Sequence, residues 1–146
     1  MMNIQMKEYI MTKEELVAKA FEGMKNAYAP YSNYHVGAAV VMKDGTTFIG
    51  ANIENASYGA TNCAERSALF AAYSHGYRKE DIDALAVVSD GKKRGSPCGI
   101  CRQVMSELLQ THTPIYGGNF YDPHITELTI VDLLPNAFTL NIEETK

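Results

Sequence analysis

The order of elements predicts an α/β fold, a sheet with an antiparallel edge and a parallel remainder sandwiched by helices. Three observations carry this. A helical apolar period near the N-terminus leads into two β-rich runs around Asp44-Gly45, a hairpin signature. Downstream, helix-like and strand-like segments alternate. The chain has 146 residues, 46% hydrophobic and 21% charged, which suits one domain with a real core.

The elements follow in order. In "MTKEELVAKAFEGMKNAY", Thr12 and Glu15 have capping-box spacing, and Leu16, Val17, Ala20, Phe21 and Met24 recur at helical intervals. Residues Lys13 to Ala27 are therefore expected to be helical. "APYSNYHVG" breaks that helix, and strands are expected at about Val36 to Met42 and Thr47 to Ile53. "TNCAERSALFAAYSHG" predicts a second helix ending near Gly76, with Ala64, Ala68, Leu69, Ala71 and Ala72 on its apolar face. "DALAVVSD" has the composition of a buried strand. "SPCGICRQVMSELLQ" opens with Ser-Pro and becomes helical, since Pro is tolerated in a first turn. "TPIYGGN" is a weaker strand because of its Pro and two Gly. "TELTIVDLL" predicts a short strand and then a helical turn, and "NAFTLNIEETK" a tail. Residues 1–11 are expected to be an N-terminal extension, 12–138 the folded domain and 139–146 the tail.

Composition excludes several function classes. No apolar run reaches the roughly 18–20 residues of a membrane span. The start lacks the uninterrupted apolar stretch of a secretory signal, so a cytoplasmic location is expected. The net charge is -4, whereas proteins that grip polynucleotides carry a basic face. The one dense basic run, Gly91 to Gly95 ("GKKRG"), is read as a solvated loop. Neither nucleic acid nor membrane is expected as a partner. An odd count of three cysteines argues against a disulfide framework.

The chemistry sits in those cysteines. A C-x-x-C pair can be a redox dithiol, half of a structural zinc knuckle or part of a catalytic metal site. Cys98 and Cys101, three apart, face the same side of one helical turn, and Cys63 opens another helix. Helix N-termini favour thiolates through their unpaired N–H groups. Two such helices meeting end to end could set three thiolates around one ion, leaving a fourth tetrahedral position open as in catalytic zinc sites. Glu65, two residues after Cys63, is placed to take a proton from water at that position. Three thiolates and a divalent zinc sum to a net negative charge. Arg66 beside Cys63 can donate to the sulfurs and offset the excess.

The spacing C-x-E followed by P-C-x-x-C is a known signature of zinc nucleobase deaminases. With "YAPYSNYHVGAAV", "GANIENASYG", "CAERSALF", "SPCGICRQV" and "LLPNAF" in register from about Thr12 to Phe138, the chain resembles the small, homotetrameric, three-cysteine cytidine deaminases. The resemblance implies a three-layer α-β-α sandwich around a mixed five-stranded sheet, one zinc ion per chain, and a small nucleoside substrate. It implies deamination of cytidine and 2′-deoxycytidine to the uridines in pyrimidine salvage, with zinc activating the water that attacks carbon 4. Cys63, Cys98 and Cys101 would be the ligands, Glu65 the proton shuttle and Arg66 the charge-offsetting neighbour. Asn52 and Glu54 would hold the ribose 3′-hydroxyl. Ala64 and Ser96 would read the pyrimidine edge, Tyr34 (usually Phe) would pack beside the base, and Phe138 would reach it from a neighbouring subunit. Tyr58 matches an aromatic near a subunit boundary.

Other readings of the same residues were open. Without the family pattern, Asn52 and Glu54 are surface residues on a strand end, Tyr34 and Phe138 core aromatics, and Glu65 a solvated carboxylate. None of His35, His75, His112 and His124 has ligand spacing from a cysteine, and none is assigned to metal. The rival functions are deamination of a related nucleoside antibiotic and a zinc-stabilised binding module without turnover.

Overall fold

The computed structural model describes residues 10–93 and 95–140. The main elements are α1 (Lys13–Met24), β1 (Val36–Met42), β2 (Thr47–Ala51), α2 (Ala64–Ser74), β3 (Ile82–Ser89), α3 (Gly99–Leu108), β4 (Ile115–Asn119), β5 (Asp122–Leu128) and α4 (Ile130–Leu133). The strands form one mixed sheet in the order β2-β1-β3-β4-β5. Residues 1–9 of the expected extension, 141–146 of the expected tail and Arg94 of the basic run lie outside the described residues. Lys92 and Lys93 of that run are exposed.

Alternation along the strands builds two cores. Ala39 and Val41 of β1, with Ala84, Ala86 and Val88 of β3, face Leu16, Val17 and Ala20 of α1. The intervening residues Ala38, Val40, Met42 and Leu85 face Ala64, Ala68, Leu69 and Ala72 of α2 and Cys101 and Met105 of α3. The result is the expected three-layer sandwich, and it places the N-termini of α2 and α3 on the same side of the sheet.

The capping box forms as expected: the Thr12 hydroxyl accepts from Glu15 N at 3.1 Å and Thr12 N donates to the Glu15 carboxylate at 2.9 Å. The helix ends at Met24, three residues short of expectation. Tyr28 is drawn into an extended bridge with Ile53, where its N–H donates to Asn52 O. The second strand likewise stops at Ala51, with Ile53 pairing only as an isolated bridge.

One topological expectation is overturned. Among the paired strands of the described residues only β3–β4 is parallel, and β4–β5 is antiparallel. A tight turn at Phe120-Tyr121 sends the chain straight back, so β5 begins at Asp122 rather than near Thr126. Pro123 obscured that start, yet an edge strand tolerates a residue with no N–H to donate.

Gly50 of β2 fixes how closely α2 approaches. A Cβ there would lie 2.5 Å from Ala64 O and 2.7 Å from Ala68 N, both backbone atoms of α2. Gly50→Ala should therefore push away the helix that begins with Cys63. The expected cost is about 1–3 kcal/mol of stability, typical of overpacking. Chemical denaturation measures it, and an unchanged midpoint would mean that the contact is slack.

Candidate active site

Two helix starts meet to form the site. Cys63 is the N-cap of α2 and Cys98 the N-cap of α3, and Cys101 lies in the first turn of α3. Their sulfurs all fall within 4.8 Å of one another, the only such cluster of potential metal ligands found among the described residues. The Cys63 and Cys98 sulfurs are 3.6 Å apart, far beyond a disulfide bond. Sulfurs about 2.3 Å from a shared tetrahedral zinc would sit roughly 3.8 Å apart, so the spacing suits a zinc ion.

The charge states of Cys63 and Cys101 point the same way. Cys63 is pulled down to about 5, first by hydrogen bonding with Cys101 and then, against burial, by Arg66 and Cys98. Cys101 is pushed up, first by the hydrogen bond it shares with Cys63 and then by burial and the charge on Glu65. The Cys63 thiolate forms readily, but Cys101 resists becoming a second thiolate beside it without a cation. A divalent ion supplies what the donor set lacks, so the residues fit the metal. Arg66 Nη2 donates to Cys63 Sγ at 3.3 Å, as its position beside that cysteine predicted.

Glu65, in the first turn of α2, is only 4% exposed. Burial pushes its carboxyl up to about 7, with the Cys63 charge adding to the rise and its own backbone hydrogen bond and Arg66 opposing it. Such a group exchanges protons near neutral pH, as general acid–base catalysis requires.

A cavity of about 230 Å³ opens onto this cluster. Its walls include the expected Tyr34, Asn52, Glu54, Cys63, Ala64, Glu65, Ser96 and Cys98. Asn52 and Glu54 do share one side, although the backbone between them is a bridge rather than continuous strand. Asn52 is buried and braces its surroundings: its Oδ1 accepts from Val36 N at 2.9 Å and its Nδ2 donates to Tyr34 O at 2.8 Å. Glu54 accepts from Tyr31 N at 2.9 Å, Ser32 N at 3.2 Å and the Ser32 hydroxyl. The hydroxyl bond leads in holding the Glu54 carboxyl below its ordinary value. Phe138 is not brought to the cavity. It is 68% exposed, and its carbonyl accepts from Gln103 Nε2. Tyr58 is 83% exposed, beside Glu54 in a neighbouring hollow.

Three supporting residues were given no role from the sequence. Arg102, next to Cys101, donates to Pro97 O at 2.8 Å, Leu133 O at 2.8 Å and Ser96 Oγ at 2.6 Å, tying the turn before α3 to α4. Its place beside a ligand cysteine, like that of Arg66, was the available signal. His35 and Asp90 pair through Nδ1 and Oδ2 at 2.6 Å, with His35 N donating to Asp90 Oδ1 at 2.8 Å. These two lie 55 positions apart, beyond the reach of local patterning.

Comparison with known proteins agrees with this geometry. A family model described as the cytidine and deoxycytidylate deaminase zinc-binding region matches residues 10–116. A cytidine deaminase of Halalkalibacterium halodurans is 54% identical over 129 residues, covering 88% of this chain and 96% of the relative. One from Sporosarcina psychrophila is 46% identical, covering 88% and 93%. The crystal structure of cytidine deaminase from Burkholderia pseudomallei superposes with a TM-score of 0.83 at 47% identity, covering 88% of this chain and all of that one. The zinc-fitting sulfur cluster, the sheet order and these matches together identify the chain as a member of the cytidine and deoxycytidylate deaminase family.

Proposed function

We propose that the protein deaminates cytidine and 2′-deoxycytidine hydrolytically to uridine and 2′-deoxyuridine, releasing ammonia, as a step of pyrimidine salvage. The observation that carries this is Glu65: a buried carboxyl near pH 7, on the same cavity wall as a sulfur cluster fit for zinc. Cys63, Cys98 and Cys101 hold the ion. When bound, zinc supplies a Lewis acid that makes water nucleophilic near neutral pH. Glu65 accepts a proton from the attacking water and delivers one to the departing amine, so that water adds at carbon 4 and ammonia leaves.

The other cavity residues orient the nucleoside. Asn52 and Glu54 hold the ribose 3′-hydroxyl, with Glu54 kept ionised and aimed by Ser32 and Tyr31. The Ala64 peptide and Ser96 read the pyrimidine edge, and Tyr34 packs beside the ring. Phe138 serves the cavity of a neighbouring chain in a homotetramer, and its exposure outside its own cavity suits that role. The domain spans residues 12–138. No helix among the described residues is long and apolar enough to cross a membrane, and three free cysteines suit a reducing cytoplasm.

Loss of cytidine absorbance tests the proposal. Zinc-loaded protein should convert both nucleosides, and failure with both at one zinc per chain would overturn it.

Arg66 gives a second test that reads metal rather than turnover. Zinc competes with protons for the sulfurs. Arg66 helps hold the Cys63 thiol low, so Arg66→Gln raises the affinity of that sulfur for protons. The pH at which half the zinc is released should move upward, with binding restored at higher pH. An unmoved release curve would leave Arg66 with no role in the charge balance of the site.

A further inference from the structure

The segment between β3 and α3 carries two glycines, Gly91 and Gly95, that belong to neither the ligand set nor the nucleoside contacts. A Cβ on Gly91 would lie 2.5 Å from Tyr34 Cε1 and 3.1 Å from its Cδ1. One on Gly95 would lie 2.3 Å from the Tyr34 hydroxyl, 3.2 Å from Ser89 Oγ and 3.7 Å from Tyr34 Cζ. The two glycines thus leave a slot that the Tyr34 side chain fills, with its ring against Gly91 and its hydroxyl against Gly95. Both Tyr34 and Gly95 wall the cavity that holds Cys63, Glu65 and Ser96.

Polar groups flanking the slot are anchored, so the Tyr34 ring is the part that would give way. The Tyr34 backbone is tied at both polar groups: its N–H donates to Ser32 Oγ at 3.0 Å and its carbonyl accepts from Asn52 Nδ2 at 2.8 Å. Across the slot, Gly91 O accepts from Asn119 Nδ2 at 2.9 Å, and Ser96, next to Gly95, is held by Arg102. A side chain added at either glycine would meet the Tyr34 side chain first and displace it.

We propose that Gly95 is a positioning residue for substrate binding. By leaving room for the Tyr34 hydroxyl, it holds that ring against the nucleoside cavity. A phenylalanine at 34 would need no such room, so the glycine and the hydroxyl are a matched pair. The role in substrate binding rests on the cavity being the nucleoside site.

A double-variant cycle tests this. Gly95→Ala should keep one zinc per chain and raise KM for cytidine about tenfold, with a smaller change in kcat, an overpacking penalty expressed on binding. Tyr34→Phe removes the clashing oxygen, so Gly95→Ala added to Tyr34→Phe should change KM little relative to Tyr34→Phe alone. Gly91→Ala is the control, because its clash is with ring carbons that Phe retains, and Tyr34→Phe should not rescue it. A wild-type KM in Gly95→Ala, a double variant no better than Gly95→Ala, or equal rescue of both alanines would overturn the proposal.

If the wild-type chain at full zinc occupancy does not turn over cytidine, the functional reading fails, but the slot remains measurable by thermal unfolding. The loss of Tm caused by Gly95→Ala should then shrink in the Tyr34→Phe background. Equal losses in both backgrounds would dismiss the pairing itself.

Discussion

Glu65→Ala should leave a folded, zinc-loaded protein whose kcat has fallen by several orders of magnitude. General acid–base transfer alone typically contributes about 10²–10⁴-fold, and here one carboxyl serves both proton removal from water and proton delivery to the amine. The fold should survive, because burial already disfavours the ionised side chain. Glu65→Gln is the sharper companion: it keeps the shape and removes only the exchangeable acid, so it should be nearly as inactive. Steady-state kinetics with metal analysis and a melting curve separates lost chemistry from lost structure. A near-normal kcat in either variant would mean that another group moves the protons.

Cys98→Ser should lose most of its zinc and, with it, turnover. The geometry makes this substitution unusually clean. Cys98 is the exposed N-cap of α3 and makes no side-chain capping bond. Serine is a favoured N-cap residue, so the helix should start as well as before or better. Metal retention and helix stability should therefore move apart. Cys101→Ser would be less informative, because Cys101 is fully buried in the core and an added hydroxyl there costs stability of its own. Full zinc content in purified Cys98→Ser would remove that sulfur from the ligand set.

The site was legible in the sequence where local spacing controls geometry. A cysteine at each of two helix starts, a third one turn along, and a glutamate and arginine in the same first turn are arrangements that a helix enforces by itself. The capping box at Thr12 and the turn at Asp44-Gly45, where Gly45 has φ +92°, were legible for the same reason. What escaped was set by tertiary contact. The direction of β5 depended on a two-residue turn that lacks a glycine, and its start was hidden by an edge proline. The brace of Asn52 on Tyr34, the grip of Arg102 on Leu133 and the pairing of His35 with Asp90 join residues that only the tertiary fold brings together. Phe138 shows a different limit: the chain leaves it in solvent, away from its own cavity, and the family resemblance expected it to act at the cavity of a neighbouring subunit.

The central claim is that this chain hydrolyses the amine from a cytosine nucleoside with zinc held by its three cysteines. The most direct measurement is product stoichiometry under metal control. Purified protein is incubated with cytidine, and uridine and ammonia are quantified separately. The sample is then stripped with a chelator and reloaded with zinc. The account predicts equal amounts of uridine and ammonia, loss of both on stripping and recovery on reloading to one zinc per chain. Full zinc occupancy with cytidine left intact, or uridine formation undiminished in stripped protein, would contradict it.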